Sequence, residues 1–235
     1  MTMRHLLTLL CLLALTTALA AWAEAQDTAP APLPVKYAVT FTPGGWNPAE
    51  WIVAKSTQVN RLGHWLQQPD CIVNETPADA TVAELEGARW PETYSSMVYH
   101  RPVPVGTTIT ATMAFTSKQA PLIVLSPEIG VDAAGRPEYR NHFEIVLWNE
   151  GVNVWRHSYN EGKPSYVLAA FAKFPLVKDT KYTLVVQTQP GEMTISVDGH
   201  VFGYHEEHLP ATFYAGITGD EGLNRFYDFA LSNEK

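Results

Sequence analysis

Groups that could bind or transform a ligand crowd into one short stretch of this chain, HFEIVLWNEGVNVWRHSYNEG, residues 142–162. It contains Glu144, Arg156, three tryptophan or tyrosine rings and two histidines among apolar residues. Carboxylates and imidazoles can move protons, and aromatic rings stack on the apolar faces of sugar rings while polar groups bond the hydroxyls. These residue types together point to a carbohydrate ligand.

The same stretch predicts a β-hairpin with a two-residue turn at Glu150-Gly151. In that register the predicted cross-strand pairs are Trp148 with Asn153, Val146 with Trp155, Glu144 with His157, and His142 with Tyr159. Side chains alternate between the two faces of a strand, so the hairpin separates into an apolar face and a polar, aromatic face. The apolar face holds Phe143, Ile145, Leu147, Val152 and Val154. The polar, aromatic face holds His142, Glu144, Trp148, Asn153, Trp155, His157 and Tyr159. Arg156 falls on the apolar side and is expected near its edge.

Strand signals dominate the rest of the chain, and helical periodicity is nearly absent. Predicted strands cover 36–42, 63–68, 95–101, 107–115, 121–126, 165–171, 181–188, 192–198, 200–204, 212–218 and 224–231. Asp198-Gly199 is the strongest turn signal, and the region 77–90 is a weak helical candidate. A dozen or so short strands predict an all-β fold, a two-sheet antiparallel sandwich or jelly roll.

The composition and charge of the chain indicate how it is divided into segments and which partners it can bind. Residues 1–25 read as a secretory signal peptide, 26–35 as a Pro/Ala-rich linker and 36–235 as one domain, which predicts a secreted or periplasmic protein without a membrane span. The net charge of −8 argues against nucleic acid. Cys71 is the one cysteine after the predicted leader, so no internal disulfide is expected. We expect Cys71 to be a buried, inert thiol.

Three segments carry a resemblance to the concanavalin A-like lectin/glucanase superfamily, which includes laminin-G-like and jelly-roll polysaccharide-active domains. They are KYTLVVQTQPGEMTISVDGHVFG, similar to a late hairpin of that superfamily, NRFYDFAL, similar to its closing strand, and HFEIVLWNEGVNVWRH, similar to the central pair of its concave sheet. The resemblance implies two antiparallel sheets, one of them curved into a groove for an oligo- or polysaccharide. The E-x-D-x-x-E strand of the retaining glucanases and the Q-I-H and Y-x-K-x-G-x-Y strings of the alginate lyases are missing, so no catalytic residue carries over.

Three functions remain open from the residues. Glycan binding needs only the aromatic and hydrogen-bonding groups, with Trp148, Asn153 and Trp155 as the expected contacts. A polysaccharide lyase acting on a uronic-acid glycan would use proton carriers and a group that neutralises the substrate charge. Its candidate base is His157 or Tyr159, and the other proton carrier is His142 or Tyr166. Arg156 or Asn153 would meet the substrate charge, and Glu144 would orient His157. A glycoside hydrolase would use Glu144 and a second carboxyl group, for which the sequence indicates no partner.

Two further groups resemble metal ligands. Asp228 could join a structural calcium site of the kind that some members of the superfamily carry, and no other cofactor is expected. The HEEH segment, residues 205–208, has its histidines at i and i+3 rather than the zinc-protease spacing, and a solvated loop is expected there.

Overall fold

The computed structural model describes residues 34–116 and 119–234, and nearly all of its regular structure is β. The predicted signal peptide and most of the predicted linker lie outside the described residues. The strands are β1 Lys36–Thr40, β2 Trp51–Ser56, β3 Trp65–Gln67, β4 Ile72–Asn74, β5 Ser95–Tyr99, β6 Val103–Pro104, β7 Thr108–Phe115, β8 Gln119–Ser126, β9 Gly130–Val131, β10 Pro137–Tyr139, β11 His142–Trp148, β12 Gly151–Asn160, β13 Lys163–Lys173, β14 Tyr182–Gln189, β15 Glu192–Val197, β16 His200–His205, β17 Thr212–Gly219 and β18 Asn224–Ser232. Two one-turn helices, α1 Val82–Leu85 and α2 Trp90–Thr93, and a 3-10 turn at Pro48–Glu50 complete the fold.

The strands form two sheets packed face to face, as predicted for a jelly roll. The larger sheet runs in the order β13-β12-β11-β8-β17-β5-β2-β10-β9, with β6 paired to β17. The smaller runs β16-β15-β14-β7-β18-β4-β3, with β1 paired to β18. Neighbouring strands are antiparallel except β10 and β2, which run parallel. Because most neighbouring strands are antiparallel, a short turn is enough to connect two strands that follow each other in the chain.

The main hydrophobic core lies between the sheets and is built by strand alternation. In β14 the pattern of buried and exposed residues alternates strictly, and its buried residues join the core. The predicted apolar face of the opening hairpin is confirmed, because all five of its residues are buried in that core: Phe143, Ile145, Leu147, Val152 and Val154. The other face of the same two strands is therefore free to carry polar and aromatic groups.

The predicted turn of that hairpin is wrong by one residue, which shifts the cross-strand pairing by two residues. Trp148 pairs with Gly151, so Asn149 and Glu150 form the turn, and His142 pairs with His157 rather than Tyr159. A shift of two residues keeps every side chain on its predicted face, whereas a shift of one would have exchanged the faces. Gly151 is needed within the strand, since an added Cβ would lie 2.0 Å from the carbonyl oxygen of Ala172 in β13.

Other local predictions are confirmed with small differences. Asp198 and Gly199 form the tight turn between β15 and β16, with φ angles of +49° and +78°. The weak helical region supplies α1, which begins at a capping box between Thr81 and Glu84. Cys71 is buried and free, and burial raises the pKa of its thiol to about 11. Among the described residues no helix has the length and apolar character needed to span a membrane.

Candidate functional site

A cleft opens on the face of the larger sheet that points away from the main core. A second apolar cluster covers part of that face and includes Val98 of β5, Leu122 of β8 and Val146 of β11. Beside this cluster the surface opens into a cavity of about 390 Å³. We call this cavity the cleft; it is lined by Ser56, Gln58, Trp90, Tyr94, Ala120, Glu144, Val146, Trp148, Asn153, Trp155, His157, Tyr166, Asp220 and Glu221. Its size falls in the range of small-molecule sites.

The aromatic wall of the cleft comes from two neighbouring strands. Trp155 of β12 meets Tyr166 of β13 edge to face, with ring centroids 5.8 Å apart. The ring of Tyr166 also stacks on His157 at 5.8 Å, and 58% of Tyr166 is exposed. On β11, beside β12, Trp148 also borders the cleft, and its buried indole N–H has no hydrogen-bond partner among the described residues. The cleft thus offers flat apolar rings, which suit the apolar faces of a sugar ring.

Glu144 lies at the floor of the cleft between two imidazoles. Its Oε1 is 3.2 Å from His142 Nε2, and its Oε2 is 3.1 Å from His157 Nε2, the second contact lacking hydrogen-bond alignment. The hydroxyl of Tyr94 donates to Oε1 at 3.4 Å. Burial alone would raise the pKa of Glu144, but the nearby charge of His157 and the hydrogen bond with His142 outweigh it and hold that pKa below its usual range.

The two histidines share protons with Glu144 in different ways. His142 is buried, with Nδ1 3.2 Å from the carbonyl oxygen of Arg140 and Nε2 facing Glu144. Both of these neighbours are acceptors, so both contacts are hydrogen bonds only when His142 carries two protons. Burial lowers the pKa of His142, and Glu144 opposes that effect. His157 has its Nδ1 3.1 Å from the amide nitrogen of Gln58, which leaves Nε2 to carry the proton that faces Glu144.

His142, Glu144 and His157 also form the one cluster of three metal-ligating groups in the described part of the chain, with ligand atoms within 4.8 Å of one another. A zinc ion lies in the ring plane of each imidazole that binds it, about 2.0–2.1 Å from the nitrogen. Here the two rings stack at 4.1 Å with planes only 17° apart. Because the rings are stacked with nearly parallel planes, no ion close to both nitrogens can lie in both ring planes. In this arrangement the cluster fits proton sharing better than metal binding.

Asp220 is a second carboxyl group in the cleft, and sequence reasoning missed it. It follows the last residue of β17, and its backbone N–H donates to the carbonyl oxygen of Ala120 at 3.1 Å. Its carboxyl Oδ1 is buried and has no hydrogen-bond partner among the described residues. Burial, followed by the charges of Glu144 and Glu221, raises the pKa of Asp220 well above its usual value. The pKa values of two carboxyl groups in one cleft, Glu144 and Asp220, are thus shifted in opposite directions.

Six of the nine residues predicted to form the sugar site border the cleft. They are Glu144, Trp148, Asn153, Trp155, His157 and Tyr166. His142 lies behind Glu144 and reaches the cleft only through it. Tyr159 lies elsewhere, with its ring 5.1 Å from the guanidinium of Arg140.

Arg156 points to the other side of the sheet, as its position in the alternation predicted. Its Nη1 is 3.3 Å from Glu206, and 43% of its side chain is exposed. Glu206 is buried, so the expectation of a solvated HEEH loop is wrong at that residue. The carboxylate of Glu206 is held by the Tyr204 hydroxyl at 2.7 Å and by the backbone N–H of His208 at 3.0 Å, which explains its burial.

Asp228 has a structural task in this fold. Its Oδ1 accepts a hydrogen bond from the backbone N–H of Thr112 at 3.0 Å, beside an irregularity in the pairing of β18 with β7. It belongs to no cluster of three metal-ligating side chains among the described residues. A calcium ion at Asp228 stays a prediction from the resemblance.

The missed residues of the cleft come from segments that lie far from the hairpin in sequence. Gln58 follows β2, Trp90 begins α2, Tyr94 follows α2, and Asp220 follows β17. The adjacent acids in GDEG, residues 219–222, were the available signal for Asp220. Only the order of strands in the sheet brings β17 to the cleft, through its pairing with β8.

Comparison with known proteins gives the class of the fold. No protein-family model matches the sequence, and no curated protein sequence matches it. Solved structures do match: an endo-acting O-glycanase of human gut bacteria that initiates mucin breakdown has a TM-score of 0.57 at 10% identity, covering 87% of this chain and 100% of that one. The carbohydrate-binding module CBM66 of Bacillus subtilis has a TM-score of 0.52 at 13% identity, covering 78% and 95%. The lumenal domain of VIP36, solved with calcium and Man3GlcNAc, has a TM-score of 0.52 at 12% identity, covering 84% and 88%. At these identities the likeness shows the fold alone, a lectin-like jelly roll.

Proposed function

We propose that this protein binds a glycan in the cleft, with sugar rings stacked on Trp148, Trp155 and Tyr166. The observation that carries the proposal is the gathering of these rings with an amide and carboxyl groups in one cavity. Flat rings recognise the apolar faces of sugars, and convergent polar groups fix their hydroxyls. The lectin-like fold and the glycan-handling proteins that share it support the same function.

The charges around the cleft favour a neutral glycan. Its acidic side chains are Glu144, Asp220 and Glu221, and none of the described residues that line it is Lys or Arg. A lyase acting on a uronic-acid glycan needs a group that neutralises the substrate carboxylate. Two residues were candidates for that role: Arg156 is paired with Glu206 and does not border the cleft, and Asn153 borders it but carries no positive charge. The placement of these groups supports neutral sugars over the lyase alternative.

We also infer that the protein acts outside the cytoplasm, since its first residues read as a cleavable leader. N-terminal sequencing of the exported protein tests this inference. A new N-terminus near residue 26 would support it, and retention of the intact chain in the cytoplasm would contradict it.

The binding proposal is tested by glycan-array screening followed by calorimetry on the best ligand. We expect Trp155→Ala to weaken binding at least tenfold, a loss of about 1.4 kcal/mol, because a stacking surface is removed. Val201→Ala is the control, since Val201 is an exposed apolar residue on β16 of the other sheet. Equal affinities of the two variants, or no ligand on a broad array, would contradict the proposal.

A further inference from the structure

We propose that the cleft hydrolyses the glycosidic bond of the glycan it binds, with Asp220 as the proton donor and Glu144 as the carboxylate that activates water. This inference rests on the proposed glycan binding and adds a reaction to it. It assigns to Asp220 the role of the second carboxyl group, which sequence reasoning left without a residue. The substrate class that follows is a neutral glycan joined by an O-glycosidic bond.

The first support is the position of Asp220. Its side chain borders the same cavity as Glu144, and its Oδ1 is buried without a hydrogen-bond partner among the described residues. A buried carboxyl oxygen that lacks a partner costs free energy, and such groups in a fold often serve a function. The residue borders the cleft, so a glycosidic oxygen bound there would lie beside Asp220. The residue is held in place through its backbone, which bonds Ala120 and the hydroxyl of Thr93.

The second support is the asymmetry between the two carboxyl groups. Glu144 has two imidazoles and a tyrosine hydroxyl around it, all of which can stabilise a negative charge. Asp220 has no such partner, and its closest charged influences are the carboxylates of Glu144 and Glu221. Two carboxyl groups that share a desolvated site do not both ionise readily, so the proton stays on the one with fewer donors. Hydrolysis of a glycoside requires this division into an acid and a carboxylate.

The third support is the set of groups behind Glu144. A water molecule that attacks the sugar must lose a proton, and Glu144 can take it because His142 and His157 already hold the carboxylate in place. His142 is buried and His157 is nearly so, which keeps the carboxylate from rotating toward solvent. In this scheme the two histidines are positioning residues, and the catalytic residues are Asp220 and Glu144.

The reaction balances without any other reagent. Asp220 gives its carboxylic proton to the glycosidic oxygen as the bond from the anomeric carbon to that oxygen breaks, and the electron pair of the bond stays on the oxygen. Water adds to the anomeric carbon, and its proton passes to Glu144. Transfer of that proton back to Asp220 through solvent restores the starting state. The products are two glycans, one with a new reducing end.

The test uses the full protein and the best glycan from the array, in water enriched in oxygen-18. We expect mass spectrometry to show shorter glycans with the heavy oxygen at the new reducing end. We expect Asp220→Asn to keep the affinity within about threefold and to lower the turnover about 100- to 10,000-fold, the contribution typical of a general acid. Asp198→Asn is the matched control, because Asp198 lies in the exposed turn between β15 and β16.

A second substrate separates catalysis from a structural defect. A dinitrophenyl glycoside of the same sugar has a leaving group that departs without a proton. We therefore expect Asp220→Asn to cleave it at close to the wild-type rate, while Glu144→Gln remains slow on both substrates. A merely misfolded variant would lose both reactions.

The outcomes distinguish the two proposals. A glycan that binds and remains intact after prolonged incubation would overturn hydrolysis and leave binding in place. Cleavage of the natural glycan by Asp220→Asn at the wild-type rate would overturn the role of Asp220. Unsaturated products that lack added water would show elimination instead, which also overturns the inference. A protein that binds nothing on the array would overturn the proposed function itself.

Discussion

At the scale of single residues, the environment of a carboxyl group decides its charge, and this cleft shows both directions. Glu144 and Asp220 border the same cavity, but only Glu144 has imidazoles within 3.2 Å of its oxygens. The pKa of Glu144 is lowered by those neighbours, and the pKa of Asp220 is raised first by burial. The two groups should therefore affect the stability of the fold with opposite dependence on pH.

For Asp220 we expect stability to fall as the pH rises. The carboxyl group ionises near pH 3.9 in the unfolded chain and at a higher pH in the fold, so the wild type loses stability as pH rises above about 4. Asparagine does not titrate, so Asp220→Asn should gain stability relative to the wild type between pH 4 and pH 8. Urea unfolding across that range measures the difference. A difference that is independent of pH would show that Asp220 ionises normally.

Glu144→Gln provides the opposite case in the same experiment. Ionised Glu144 stabilises the fold above the pKa of the unfolded chain, about 4.3, and that stabilisation is lost as the pH falls below it. At pH 7 we expect the substitution to cost about 1.5–3 kcal/mol, the usual value of hydrogen bonds to a charged group. The difference in unfolding free energy between the variant and the wild type should then become smaller below pH 4. A difference that stays constant would contradict the lowered pKa of Glu144.

At the scale of elements, the alternation of side chains in one hairpin was enough to predict which groups share a face. The residues Phe143 and Val154 lie in the core, and Glu144 and Trp155 lie in the cleft, as the sequence indicates. The turn was misplaced because Gly151 was interpreted as a turn residue. Its actual constraint is the close approach of Ala172, a residue 21 positions later, which no local pattern shows.

The same limit explains the missing half of the cleft. Asp220 and Tyr94 lie at the ends of segments that are distant from the hairpin in sequence. These segments pack beside the hairpin only because β8 and β17, far apart in the chain, are neighbours in one sheet. Local periodicity predicts strands but not their order, so the sequence supplied no carboxyl partner for Glu144. Short strands such as β4 and β10 were missed because three residues are too few to show alternation.

Replacement of Gly151 by alanine tests the close approach of β12 and β13. An added Cβ would lie 2.0 Å from the carbonyl oxygen of Ala172, and the backbone there has a φ of +133°. We expect Gly151→Ala to destabilise the fold by about 2–3 kcal/mol, measured by urea unfolding, because the strands must separate to admit the methyl group. Gly162→Ala is the control: its φ is +79° and nothing lies within 4 Å of an added Cβ. Gly162→Ala should cost about 1 kcal/mol, from the backbone conformation alone. Equal losses of stability in the two variants would contradict the close approach of β12 and β13 at Gly151.

At the scale of the whole molecule, charge narrows the class of ligand more than the fold does. The lectin-like jelly roll is shared by proteins with different tasks, so the fold leaves the glycan open. The chain carries a net charge of −8, and the cleft contains the carboxyl groups of Glu144 and Glu221 beside the protonated Asp220, with no Lys or Arg among the described residues that line it. A polyanionic glycan would be repelled both at long range and at the site.

Salt dependence of binding tests this argument. We expect neutral glycans to bind with an affinity that changes less than about twofold between 20 mM and 500 mM sodium chloride. Polyuronates should bind weakly at low salt and gain affinity as salt is added, because screening over a Debye length of about 10 Å at 0.1 M reduces the repulsion. Affinity electrophoresis at several salt concentrations measures both. Tight binding of a polyuronate at low salt that weakens as salt is added would contradict the argument and would direct attention to Arg156. In that case Arg156→Gln should abolish the salt dependence, and the acidic cleft would not be the binding site for that polymer.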